Sequence, residues 1–105
     1  MGNLEDYDIV SLRNQIDEID ASLLLLFEKR MEVVLKIAEY KNKNNIQILN
    51  ETREDAVIIR NLNLVKNSDI HVEVEKFFKS VMEISRGYQN KNFKIHEELA
   101  IMDTE

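Results

Sequence analysis

The stretch LLLLFEKRMEVVLKIAEYK, residues 23–41, decides how the chain is read. Its apolar residues mark a helix, yet Arg30 sits in its middle and Lys41 at its end. Traced back toward the start, the apolar positions are Ile9, Leu12, Ile16, Ile19, Leu23 and Leu26, then Arg30, then Val33, Ile37 and Tyr40. Their spacing alternates three and four without a break, which is a heptad seam. A second stripe, Leu24, Phe27, Met31, Val34, Ala38 and Lys41, runs beside the first, so the later half of the helix must be covered on two sides. The pattern predicts one long helix over about residues 6–43, ended by the polar run NKNN at residues 42–45.

Beyond it, NIQIL at residues 45–49 reads as a loop whose Ile46 and Ile48 tuck inward. Asn50 suits an N-cap, and Glu51 and Glu54 suit the positive end of a second helix over about residues 51–65. Its inward stripe is Glu54, Val57, Ile58, Asn61, Leu62 and Val65. KNSD at residues 66–69 breaks the pattern, with Ser68 or Asp69 as the next cap. In IHVEVEKFFKSVMEISRGYQ the first five residues alternate as a strand would, but Val74, Phe78, Val81, Ser85 and Tyr88 continue at helical spacing. A third helix over about residues 70–90 is expected. The expected fold is all-α, with one long and two shorter helices per chain. Residues 1–90 form the helical domain, and residues 91–105 a tail of unknown role with a weak apolar rhythm at Phe93, Leu99 and Met102.

Composition narrows the function. The chain has 105 residues, 44% hydrophobic and 32% charged, with two Gly and no Cys, Pro or Trp. A domain of that size buries a limited core unless a second chain contributes. The net charge of -6 argues against nucleic acid or an anionic membrane surface as partner, since both need a basic face. No thiolate metal site is available, and His71 and His96 lie too far apart for a helical metal motif, so no metal is expected. The acidic N-terminus lacks an apolar leader segment and no apolar run reaches membrane-spanning length, so a soluble, cytoplasmic protein is expected.

An arginine at a heptad core position is costly unless its guanidinium is paired, snorkels to water or binds an anion. A salt bridge to a facing carboxylate is one reading of Arg30. The other comes from spacing: Arg30 and Lys41 lie three helical turns and about 16 Å apart on nearly one face, so their side chains can bracket a small anion. Arg13 shares the heptad column of Lys41 but stands about 42 Å from it along a straight helix. It is either an exposed helix charge or a contribution from a second chain running antiparallel along the Ile/Leu seam. Ser85 and Gln89, spaced i, i+4, extend the inward stripe of the third helix, and Arg53 and Glu54 open the second. Cations, a carboxylate, a hydroxyl and an amide on inward stripes make a site for a polar, dianionic small molecule.

These residues match a family pattern. LRNQIDEIDASLLLLFEKR resembles the opening helix of the all-helical (AroQ-class) chorismate mutases, IAEYK its lysine-bearing end, NETRE the start of its second helix and SRGYQ the end of its third. The resemblance covers residues 9–90 in order and with compatible spacing. It implies an intertwined antiparallel helical homodimer, cofactor-free, that isomerises chorismate to prephenate in phenylalanine and tyrosine biosynthesis. It further implies that Arg30 and Ser85 hold one carboxylate of chorismate, and that Lys41 with Arg13 of the second chain holds the other. Lys41 and Gln89 would donate to the ether oxygen of the breaking bond, Glu54 would accept from the ring hydroxyl, and Arg53 would line the site. Many members have Asp where this chain has Asn50, which can equally cap the helix and meet a hydroxyl. Two other readings stand beside it: isochorismate-pyruvate lyase on a similar scaffold, and a non-catalytic helical dimer acting as a binding or regulatory module.

Overall fold

The computed structural model describes the backbone of residues 7–104 and the side chains of residues 7–92. Over that range it is all-helical: α1 spans Ile9–Lys43, α2 Glu51–Leu64 and α3 His71–Thr104, with a 3-10 turn at Ser68–Ile70 leading into α3. Each boundary has a local chemical cause. Asp8 caps α1, its carbonyl accepting from Leu12 N–H at 3.0 Å and its carboxylate from Val10 N–H at 3.4 Å. At the other end, Ile46 N–H donates to the Lys41 carbonyl at 2.8 Å and Asn45 N–H to the Asn42 carbonyl at 3.4 Å. This Schellman closure needs a left-handed residue, and Asn45 supplies it with φ 54°.

Asn50 caps α2 as its position suggested, its side-chain oxygen accepting from Arg53 N–H at 3.0 Å. The expected stripe of α2 is half-buried throughout, from Glu54 to Val65. Asn61 is tolerated there because its amide donates to the Val57 carbonyl at 2.8 Å. Three expectations need correction. Ile46 does not tuck inward but stays 46% exposed, leaving Ile48 as the half-buried residue of the loop. The cap ahead of α3 is Asn67, whose side chain accepts from Asp69 N–H at 3.0 Å, and neither Ser68 nor Asp69 fills that role. The backbone of α3 also continues to Thr104, well past residue 90. Tail positions Phe93, Leu99 and Met102, like His96, have side chains outside the described residues.

The chain divides after Val33 into two units. In the first, the N-terminal part of α1, the seam residues Ile9, Ile16, Ile19, Leu23, Leu26 and Val33 are all exposed. In the second, α2 lies against α3. The core there consists of Val34 and Ala38 of α1 with Val81 and Met82 of α3, joined by the polar Ser85 and Gln89. Among the described residues no large side chain is fully enclosed. None of the helices is long and apolar enough to cross a membrane over the same residues.

Gly87 stands inside α3 with nothing beyond its own stretch of helix within 4 Å of the place a Cβ would occupy. Glycine in a helix interior is less favourable than alanine, so Gly87→Ala is expected to stabilise the fold by about 1 kcal/mol. A higher urea midpoint by circular dichroism is the expected reading; a lower one would show that another surface covers this position in solution.

Candidate functional site

Lys41 lies in the last turn of α1 and is half-buried. Its ammonium donates to the Ile48 carbonyl at 2.7 Å, while its own carbonyl accepts from Ile46 N–H. The loop after α1 is thus tied to one residue twice, and the tie aims the ammonium. An ammonium has three donors, so two remain after the Ile48 bond.

On α3, Ser85 and Gln89 are each only 6% exposed. The Gln89 amide nitrogen donates to the Val34 carbonyl of α1 at 3.1 Å. Because the partner is an acceptor, the nitrogen end of the amide must face it, and one of its two N–H donors remains for another group. The Ser85 hydroxyl donates to the Val81 carbonyl one turn earlier at 2.6 Å. To grip a carboxylate it must rotate away from that carbonyl, exchanging a neutral hydrogen bond for a charge-assisted one.

Glu54, in the first turn of α2, does not stand alone in its stripe. The Arg86 guanidinium of α3 donates through Nη1 to both of its carboxylate oxygens. Sequence reading missed Arg86. Its signal was indirect: a carboxylate on an inward stripe needs a cation, and Arg86 directly follows Ser85. Arg53 is exposed, and its backbone N–H is the one capped by Asn50. Arg13 and Arg30 belong to the first unit, where Arg13 is exposed and Arg30 half-buried. The second unit therefore brings together Val34 and Gln89 on one contact, Lys41 and its loop on another, and Glu54 with Arg86 on a third, while Ser85 is buried one turn before Gln89 on α3.

Chemically this is an array of hydrogen-bond donors and cations with one carboxylate. It suits a ligand rich in oxygen acceptors and negative charge, held by groups whose remaining hydrogen-bonding capacity is already oriented. Among the described residues no group of three or more His, Cys, Asp or Glu side chains could hold a metal ion.

The Val34 carbonyl keeps its helical partner when Gln89 is removed, so no orphaned acceptor results. Gln89→Leu is therefore expected to change the unfolding free energy by no more than about 1.5 kcal/mol in urea titrations. A much larger loss would mark the amide as a structural strut rather than a group kept for a ligand.

Over residues 12–90 the sequence matches the family described as chorismate mutase type II. It is also 34% identical over 85 residues to the bifunctional chorismate mutase/prephenate dehydratase of Buchnera aphidicola subsp. Schizaphis graminum (strain Sg). That alignment takes in 80% of this chain and 22% of the relative, so the chain spans a minor part of that protein's length.

Proposed function

The chain belongs to the chorismate mutase type II family, and we propose that it is an isomerase converting chorismate to prephenate by an intramolecular Claisen rearrangement, in phenylalanine and tyrosine biosynthesis. One observation carries this reading beyond family membership. Lys41 and Gln89 are each anchored to a backbone carbonyl and each keep a further donor. The rearrangement needs no nucleophile or external base. It needs the enolpyruvyl side chain folded over the ring, and it gains from donors beside the ether oxygen as that bond lengthens.

In this reading Arg30 and Ser85 hold one carboxylate, while Lys41 and the partner subunit's Arg13 hold the other. Planar guanidinium forks suit carboxylates because two parallel hydrogen bonds fix orientation as well as position. The spare donors of Lys41 and Gln89 meet the ether oxygen, and Glu54 accepts from the ring hydroxyl. Arg53 lines the mouth of the site. Asn50, with its oxygen engaged in the cap, offers its amide N–H groups to the substrate.

The homodimer belongs to the same proposal, as an intertwined antiparallel pair. Its support is the row of exposed apolar side chains on α1, among them Ile9, Ile16, Ile19, Leu23, Leu26, Ile37 and Tyr40. A buried set as small as Val34, Ala38, Val81 and Met82 is little for a domain of this length. Covering the row with a second copy supplies the missing core and delivers Arg13. We take residues 1–90 as the mutase domain and residues 91–105 as a tail without an assigned role. We place the protein in the cytoplasm, in keeping with the biosynthetic role proposed for it.

Incubating the purified protein separately with chorismate and isochorismate, and following products by NMR, tests the reaction. Prephenate from chorismate is the expected result. Pyruvate and salicylate from isochorismate as the main products would make it a lyase, and silence from both in a folded protein would point to a binding module. Lys41→Ala is expected to lower kcat about a hundredfold, the loss of about 3 kcal/mol of transition-state stabilisation, and not merely to raise KM. Mixing inactive Arg13→Ala chains with inactive Lys41→Ala chains should restore activity. No recovery after demonstrated chain exchange would refute the shared site.

A further inference from the structure

The ion pairs Lys43–Glu39, Lys79–Glu75 and Arg86–Glu54 are not alike. Lys43–Glu39 and Lys79–Glu75 join neighbours one turn apart on a helix, with at least 44% of every side chain exposed. Pairs of that kind contribute little. Arg86–Glu54 instead joins α3 to the first turn of α2 across 32 residues of sequence, with side chains 30% and 23% exposed. It links two elements, and it holds the carboxylate of the candidate site.

We infer that Arg86 is a positioning residue, its guanidinium fixing the Glu54 carboxylate in the orientation that accepts the substrate's ring hydroxyl. The inference rests on the mutase reading of the site. Its chemistry follows from the hydrogen-bond inventory. Each carboxylate oxygen accepts more than one hydrogen, so a single Nη1 shared between Oε1 and Oε2 leaves a lone pair on each oxygen for a hydroxyl. The pair therefore holds Glu54 without blocking it.

A glutamate has three rotatable side-chain bonds, and an unheld one loses that freedom when it captures a ligand. Arg86 removes the freedom beforehand, which lowers the entropic penalty at the reacting geometry. Its place in the chain suits the task. Arg86 follows Ser85 and precedes Gln89 by three residues on α3, so the helix that carries two substrate-facing groups also sets the third, on α2. The Asn50 cap fixes the other end of the linkage by holding the first turn of α2.

A double-mutant cycle on kcat/KM for chorismate tests this, using Arg86→Ala, Glu54→Ala and the double variant, each checked for native circular dichroism at the assay temperature. The expected result is a loss of roughly ten- to a hundredfold in each single variant and no further loss in the double, since Arg86 acts through Glu54. Arg86→Lys should recover part of the activity, because it keeps the charge but cannot hold the carboxylate with a planar group. A folded Arg86→Ala protein with wild-type kcat/KM, beside a damaged Glu54→Ala protein, would reduce Arg86 to a structural strap and overturn the inference. Fully additive losses would overturn it as well, by showing that Arg86 acts independently of Glu54. If Glu54→Ala itself is harmless, or the wild-type chain shows no mutase activity, the underlying reading of the site fails instead, and this inference falls with it. Should Arg86→Ala not fold, Arg86→Met keeps the aliphatic stem and carries the same test. Unfolding of both variants would count for the strap.

Discussion

A hydrogen bond between the Gln89 amide and the Val34 carbonyl joins two residues of the small interior formed by the described residues. Val34, Ala38, Val81, Met82, Ser85 and Gln89 are the most deeply buried described residues, and two of the six are polar. In so small a core an unsatisfied polar atom would weigh heavily, because nothing nearby compensates its lost hydration. The site is consequently built from groups already satisfied in the free chain, with hydrogen-bonding capacity left over. Among the described residues no buried side-chain nitrogen or oxygen lacks a partner.

How each polar group is satisfied separates two kinds of residue. Asn61, Ser85 and Asn92 donate back to the carbonyl four residues earlier in their own helices, and Asn44, just past α1, does the same to Tyr40, which lets a polar side chain lie on or beside a helix at little expense. Lys41, Gln89 and Arg86 reach out to a loop, to another helix or to another helix's carboxylate. The first kind makes the stripes compatible with helices. The second kind locks elements together and orients charge, and it includes the two donors assigned to the ether oxygen. The Ser85 hydroxyl donates to Val81, and its proposed role requires it to give up that bond.

Much of the fold was legible because periodicity reports burial directly. The α2 stripe and the Val74, Phe78, Val81, Ser85 and Tyr88 stripe of α3 were identified residue by residue, and the capping role of Asn50 follows from its side-chain oxygen. The continuation of α3 was not legible. The tail has no Pro or Gly to stop a helix and many good helix formers, but its apolar rhythm is short and weak, and so brief a pattern does not by itself mark a helix. Arg86 escaped for a geometric reason: one residue beyond Ser85 it turns about 100° around the helix, so a stripe analysis counts it as surface. Only its long stem brings the guanidinium to Glu54. The grip of the loop on Lys41 was hidden too, because backbone carbonyls leave no mark in a sequence. The seam of α1 stood out at once in the sequence, yet in a single chain most of its residues remain exposed.

The double tie at Lys41 has a consequence for anyone re-engineering this scaffold. Residues 44–50 pass through the left-handed Asn45, return a carbonyl at Ile48 to the lysine, and end on the Asn50 cap. Lengthening or cutting that connection would move a cation, not merely a surface loop. The connection between α2 and α3, around Lys66 and Asn67, is exposed and contributes none of the groups assigned to the substrate. Graft points, reporter insertions and circular permutation belong there, where the chain can change length while the charges keep their places.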